Sequence, residues 1–85
     1  MTKRKLLLKI LNNQRNVRFK ELSQLAMAFG FILVRIKGSH HIFAHPAVNE
    51  LVNLQDVDGS AKPYQVRQFL KLAEKYNLRL EEKEA

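Results

Sequence analysis

The residues best suited to proton transfer in this chain stand as a pair, His40 and His41, directly behind a turn-forming dipeptide in Gly38-Ser39-His40-His41-Ile42-Phe43. Glycine reaches positive φ without steric cost, so Gly38-Ser39 reads as a two-residue type II′ turn joining a strand from Phe31 to Lys37 with one from His40 to His45. Lys37-Gly38 is the neighbouring alternative. Both registers give the same two faces. One carries Ile32, Val34, Ile36, His41, Phe43 and His45, and the other carries Leu33, Arg35, Lys37, His40, Ile42 and Ala44. The β-branched run and Phe43 make the first set the expected core face. His40 is then expected to point away from the core, beside Arg35 and Lys37.

Histidine is the side chain whose unperturbed pKa lets it exchange a proton readily near neutrality. Cations beside an imidazole favour its neutral form, which can take a proton from a nucleophile. The same cations would hold a phosphate as charge builds on its oxygens. Cleavage of RNA by its own 2′-hydroxyl needs little more. The plain alternative is a polar residue on a solvated strand behind an ordinary hairpin turn. A shared metal is not expected from the histidines. Neighbours on a strand face opposite ways, and His41 and His45 would lie roughly 13 Å apart at ~3.3 Å per residue. Cysteine is absent, and with it the thiolate ligand sets.

The elements that must position these groups follow from length and periodicity. At 85 residues the chain is expected to form a single domain, 1–85, burying about 60–65% of the surface its unfolded form exposes. The apolar run Leu6-Leu7-Leu8 is cut by Lys9, far short of the ~20 residues that span a bilayer. With no cysteine for disulfides, we expect a cytoplasmic protein without membrane contact. The formal charge is +7, and Lys3, Arg4, Lys5, Lys9, Arg15, Arg18 and Lys20 crowd the first twenty residues without an acid among them. Such a balance points to a polyanionic partner.

Residues 3–11 alternate basic and apolar groups at helical spacing, with Leu7, Ile10 and Leu11 on one face, until Asn12-Asn13 breaks the pattern. Phe19, Leu22, Leu25, Ala26 and Phe29 repeat at three and four, with Gly30 as the C-terminal cap. After the hairpin, Leu51 to Gln55 reads as a third strand with Val52 and Leu54 on one face, and Asp56 to Ser60 as a polar loop. Pro63 opens a final helix that buries Val66, Phe69, Leu70, Ala73 and Asn77. Arg67, Lys71 and Lys75 stripe its other side at i,i+4 spacing, available to phosphates or simply solvated. Glu81-Glu82-Lys83-Glu84 reads as a polar tail.

The ordered motifs Phe29-Gly30-Phe31, Lys37-Gly38-Ser39-His40-His41-Ile42-Phe43, His45-Pro46 and Lys62-Pro63 with Val66-Arg67-Gln68-Phe69-Leu70-Lys71 resemble the HicA family of toxins. The resemblance covers about seven-tenths of the chain, and motifs in fixed order are more specific than a lone histidine pair. It implies an α+β fold like a double-stranded-RNA-binding domain and a ribonuclease that cleaves mRNA unless bound by a HicB antitoxin. The histidine of the family's Gly-Ser-His motif falls on His40, in agreement with the face argument. Where many relatives carry a proline and a histidine at the end of the third strand, this chain has Asn53-Leu54-Gln55. A second catalytic imidazole is therefore missing there, and the general acid stays unassigned.

The resulting expectation is an α-α-β-β-β-α domain with a three-stranded antiparallel sheet, divided into a basic helical extension at 1–17, a HicA-like core at 18–78 and a polar tail at 79–85. His40 is the expected proton-transfer residue. Arg35, Lys37 and Ser39 are expected RNA ligands, with Arg67, Lys71 and Lys75 as further candidates. The expected partners are an mRNA substrate and an acidic HicB-type antitoxin, with no metal and no small-molecule cofactor. A non-catalytic RNA-binding module using the same basic face is the alternative.

Overall fold

The computed structural model describes residues 1–81; Glu82 to Ala85, which include most of the expected polar tail, lie outside the described residues. The order of elements is α1 (Lys3–Asn12), β1 (Val17–Arg18), α2 (Phe19–Ala28), β2 (Ile32–Lys37), β3 (His40–Ala44), β4 (Val52–Gln55), β5 (Ser60–Ala61) and α3 (Pro63–Lys75). The fold is α+β, with a three-stranded antiparallel sheet in the order β2-β3-β4 and a two-stranded ribbon of β1 with β5.

α1 starts where Thr2 accepts the Lys5 amide with its hydroxyl, and it ends at Asn13. Its buried residues are Leu6 and Ile10, whereas Leu11 is exposed. This corrects the expected face by about one position. Four-residue spacing seats Leu6 and Ile10 above one another, and they join a core with Leu22, Leu25, Phe43, Val66 and Phe69. α2 begins with Glu21 reaching back to the Arg18 amide at 3.0 Å. It ends at Gly30, φ 97°, where the Gly30 amide donates to Met27 and the Phe31 amide to Ala26, so the last carbonyls are satisfied by a Schellman turn. α3 ends the same way with Asn77, φ 55°, in the left-handed position. Asn77 is therefore an exposed terminator rather than part of the buried stripe expected for it.

The Asp56 to Ser60 segment is more ordered than a loop. Asp58 and Gly59 both have positive φ, and Val57 and Ser60 exchange backbone bonds across them, which makes a type I′ hairpin turn. The Gly59 amide also donates to Asp56 at 2.7 Å. This turn delivers β5 to β1, and the Phe19 amide donates to Gly59, tying the start of α2 to the ribbon.

In the main sheet Lys37 pairs with His40 across Gly38-Ser39, with Gly38 at φ 59°. Ile36 pairs with His41 and Arg35 with Ile42, but a bulge between Leu33 and Arg35 shifts the register so that Leu33 pairs with Phe43. An extra residue on one strand flips the faces beyond it. Leu33 therefore shares the inner face with Phe43, and Ile32 lies outward opposite Ala44, the reverse of the simple alternation. β2 also departs from the expected core role: all six of its residues are exposed. It is an edge strand that the helices do not cover, while β3 and β4 supply the buried Phe43, Val52 and Leu54.

Candidate active site

The outer sheet face gathers the chemistry. His40 lies opposite Lys37 on one side and opposite Gln55 on the other, and Arg35 stands opposite the next outward residue, Ile42. His40, Arg35, Lys37 and Asn53 are all exposed. The His40 Nδ1 lies 3.0 Å from the Asn53 Oδ1. A side-chain amide oxygen only accepts, so Nδ1 carries the proton and donates it; in the neutral ring this leaves the lone pair on Nε2. This is the tautomer a general base needs. Asn53 alternates with the buried Val52 and Leu54, so its outward direction was readable; its partnership with His40 depended on a strand register that the sequence did not reveal.

Gln65 was also missed. It is a buried residue of α3, and its amide accepts from the Gln55 amide at 2.8 Å and donates to the Asn53 carbonyl at 2.7 Å. One glutamine side chain thus takes the place of a neighbouring strand along β4. It also fixes the backbone on both sides of Leu54, and so the position from which Asn53 reaches His40.

The other histidines have different surroundings. His41 is half-buried, its ring centroid 4.6 Å from that of Phe19, with Nδ1 near the Ser39 carbonyl at 3.4 Å. His45 accepts the Ala47 amide on Nδ1 at 2.9 Å and donates from Nε2 to the Phe29 carbonyl at 3.0 Å. Both ring nitrogens are thereby occupied in joining the end of β3 to the end of α2. Ser39 serves the turn: its carbonyl accepts the Asp56 amide at 2.9 Å, and its hydroxyl accepts from the Gln55 side chain at 3.4 Å.

The α3 cations divide. Lys71 and Lys75 border an open groove between β4 and α3, of about 460 Å³, and Asn53 lines that groove too. Lys75 is partly engaged, 3.9 Å from Glu50 and over the Tyr76 ring at 5.4 Å. Arg67 borders a different groove, with Leu11 and Gln14. Lys71 thus borders both grooves, Lys75 the one that Asn53 lines, and Arg67 the one beside Leu11 and Gln14; His40, Arg35 and Lys37 line neither. Lys9 pairs with Glu21, whose carboxyl is held below the usual carboxylate range first by that hydrogen bond and then by the Arg18 amide.

Fold and site together define a small α+β domain with its core on one face of an antiparallel sheet and a cationic patch around an amide-held histidine on the other. The family model described as the HicA toxin of bacterial toxin-antitoxin systems matches residues 19–74, and the chain belongs to that family. It is a toxin of the toxin-antitoxin kind. No curated protein and no solved structure matches it. Among the described residues, no helix is long and apolar enough to cross a membrane.

Proposed function

We propose that this toxin is a metal-independent endoribonuclease of the cytoplasm that cleaves mRNA, with His40 as general base. The observation that carries the reading is the exposed His40, its Nδ1–H held by Asn53 and its Nε2 open, on the face that also bears Lys37 and Arg35. Nε2 takes the proton of a ribose 2′-hydroxyl. The 2′-oxygen attacks the adjacent phosphorus, the bond to the 5′-oxygen breaks, and that leaving oxygen takes a proton from water, whose hydroxide is neutralised by the proton that His40 then releases. The products are a 2′,3′-cyclic phosphate and a 5′-hydroxyl. Lys37 and Arg35 hold the phosphate oxygens as their charge grows. Ser39 contributes through the turn, and Lys71 and Lys75 extend the phosphate track along α3, with Arg67 at its far side.

The activity is silenced by an acidic antitoxin of the HicB type that covers the His40 face and neutralises Arg35 and Lys37. Opposed surface charges mainly steer association, so salt is expected to slow binding far more than it speeds release. The test of the catalytic reading is incubation of a purified transcript with the protein, with and without a chelator, followed by end-group analysis. Cyclic phosphate ends in both samples support it. Intact RNA, or cleavage lost to chelator and restored by a divalent metal, overturns it, and binding of uncut RNA favours a non-catalytic RNA-binding module.

A further inference from the structure

The two edges of the main sheet are treated differently. Along β4 the Gln65 amide occupies the backbone groups of Asn53 and Gln55, so α3 closes that edge. Along β2 no described element pairs with the outer side of the strand. Its side chains are apolar on both faces: Ile32 is 64% exposed, Val34 54%, Ile36 56% and Leu33 38%. An exposed apolar edge is a template for another strand, and folded proteins usually blunt such edges with short length, proline or inward charges. β2 is six residues long and contains no proline; beside the bulge near Leu33, what guards it is the pair Arg35 and Lys37, which repels a basic strand but not an acidic one.

We infer that the free edge of β2 is a docking strand for an acidic polypeptide segment, which adds to the sheet in extended conformation. The visitor's apolar residues cover Leu33 and Ile36 on one face, and its carboxylates stand beside Arg35 and Lys37 on the other. Backbone bonds supply affinity and the alternating side chains supply selectivity. Charge decides the occupant. A second copy of this chain would bring two bodies of formal charge +7 together and line up two rows of Arg35 and Lys37. RNA offers no apolar side chains for Ile36 and Leu33. Since Lys37 lies directly opposite His40, a strand seated on β2 borders the catalytic face. The docking mode therefore rests on the reading of that face as a site an antitoxin must cover, but its test does not read catalysis.

The experiment uses the isotope-labelled full chain and three synthetic octapeptides: valine alternating with glutamate, valine alternating with lysine, and the glutamate peptide broken by a central proline. Amide shifts and hydrogen exchange are followed up to about 1 mM peptide, the range of weak single-strand binding. The expected result is shifts and new exchange protection confined to residues 32–37 with the glutamate peptide alone. In the Leu33→Thr/Ile36→Thr double variant, which keeps the charge and the strand-forming side-chain shape but removes the apolar seat, binding should weaken about tenfold or more. Equal response to the lysine peptide, shifts centred elsewhere, or none at all would overturn the inference. So would protection of β2 without peptide in a sample that sediments as a dimer, or the same β2 shifts with a short RNA. Loss of RNA cleavage would leave these readouts intact, so the two readings fail separately.

Discussion

Asn53→Ala removes the acceptor for His40 Nδ1–H while leaving the imidazole, Lys37 and Arg35 in place. Asn53 is exposed and its backbone carbonyl remains bound to Gln65, so the strand should not shift. What is lost is one neutral hydrogen bond that selects both tautomer and ring orientation, worth about 0.5–1.5 kcal/mol net. At 1.36 kcal/mol per factor of ten, the cleavage rate should fall about 2- to 13-fold. Removing the base itself should cost about 100- to 10,000-fold. Single-turnover cleavage of a short labelled RNA separates these ranges. Asn53→Asp adds the discriminating arm: a carboxylate at this position favours the imidazolium, so the acid limb of the rate profile should move to higher pH. An unchanged rate in Asn53→Ala, or an unchanged profile in Asn53→Asp, refutes the positioning role. A loss as deep as that of the base in a folded Asn53→Ala protein refutes it too, because Asn53 would then take part in the chemistry directly.

Three further outcomes follow from the packing. His41→Ala should lower stability by about 1 kcal/mol through loss of the Phe19 contact while retaining cleavage, read by thermal unfolding and by the same RNA assay. Gly30→Ala should cost about 1–2 kcal/mol for a Cβ at φ 97°. More is expected because that Cβ would sit 3.0 Å from His45 Nε2, whose ring is held at both nitrogens; calorimetry that shows no fall in Tm would contradict this. Glu21 has its folded-state pKa below the ordinary value, so its contribution is fully present above the ordinary carboxylate range and disappears as pH falls through the folded value. Glu21→Gln should therefore flatten the acid side of the stability profile, by no more than about 1 kcal/mol for a partly exposed pair.

The turn and the face of β3 were readable from the sequence because they depend on local chemistry. Gly38 sets the hairpin, and strict alternation from His40 to Ala44 sends His40 outward and Phe43 inward. The caps at Gly30 and Pro63 are equally local. The exposure of β2 is not legible in its residue types: Ile32, Val34 and Ile36 match a core strand, but an edge position and a bulge are tertiary facts. The ribbon of β1 and β5 was missed because two-residue strands carry no periodicity, although Asp58-Gly59 signalled its turn. The Asn53 and Gln65 bonds join residues 13 and 12 positions away, and no local pattern specifies them.

The central claim is that His40 carries the chemistry on an otherwise self-supporting sheet face, and the direct measurement is cleavage of a defined transcript by the wild-type protein and by His40→Ala at matched, calorimetrically verified folding. The expected result is cyclic-phosphate ends from the wild type, a rate about 100- to 10,000-fold lower in the variant, and a nearly unchanged Tm, since an exposed side chain contributes little packing. A folded His40→Ala protein that cuts RNA at the wild-type rate would contradict it.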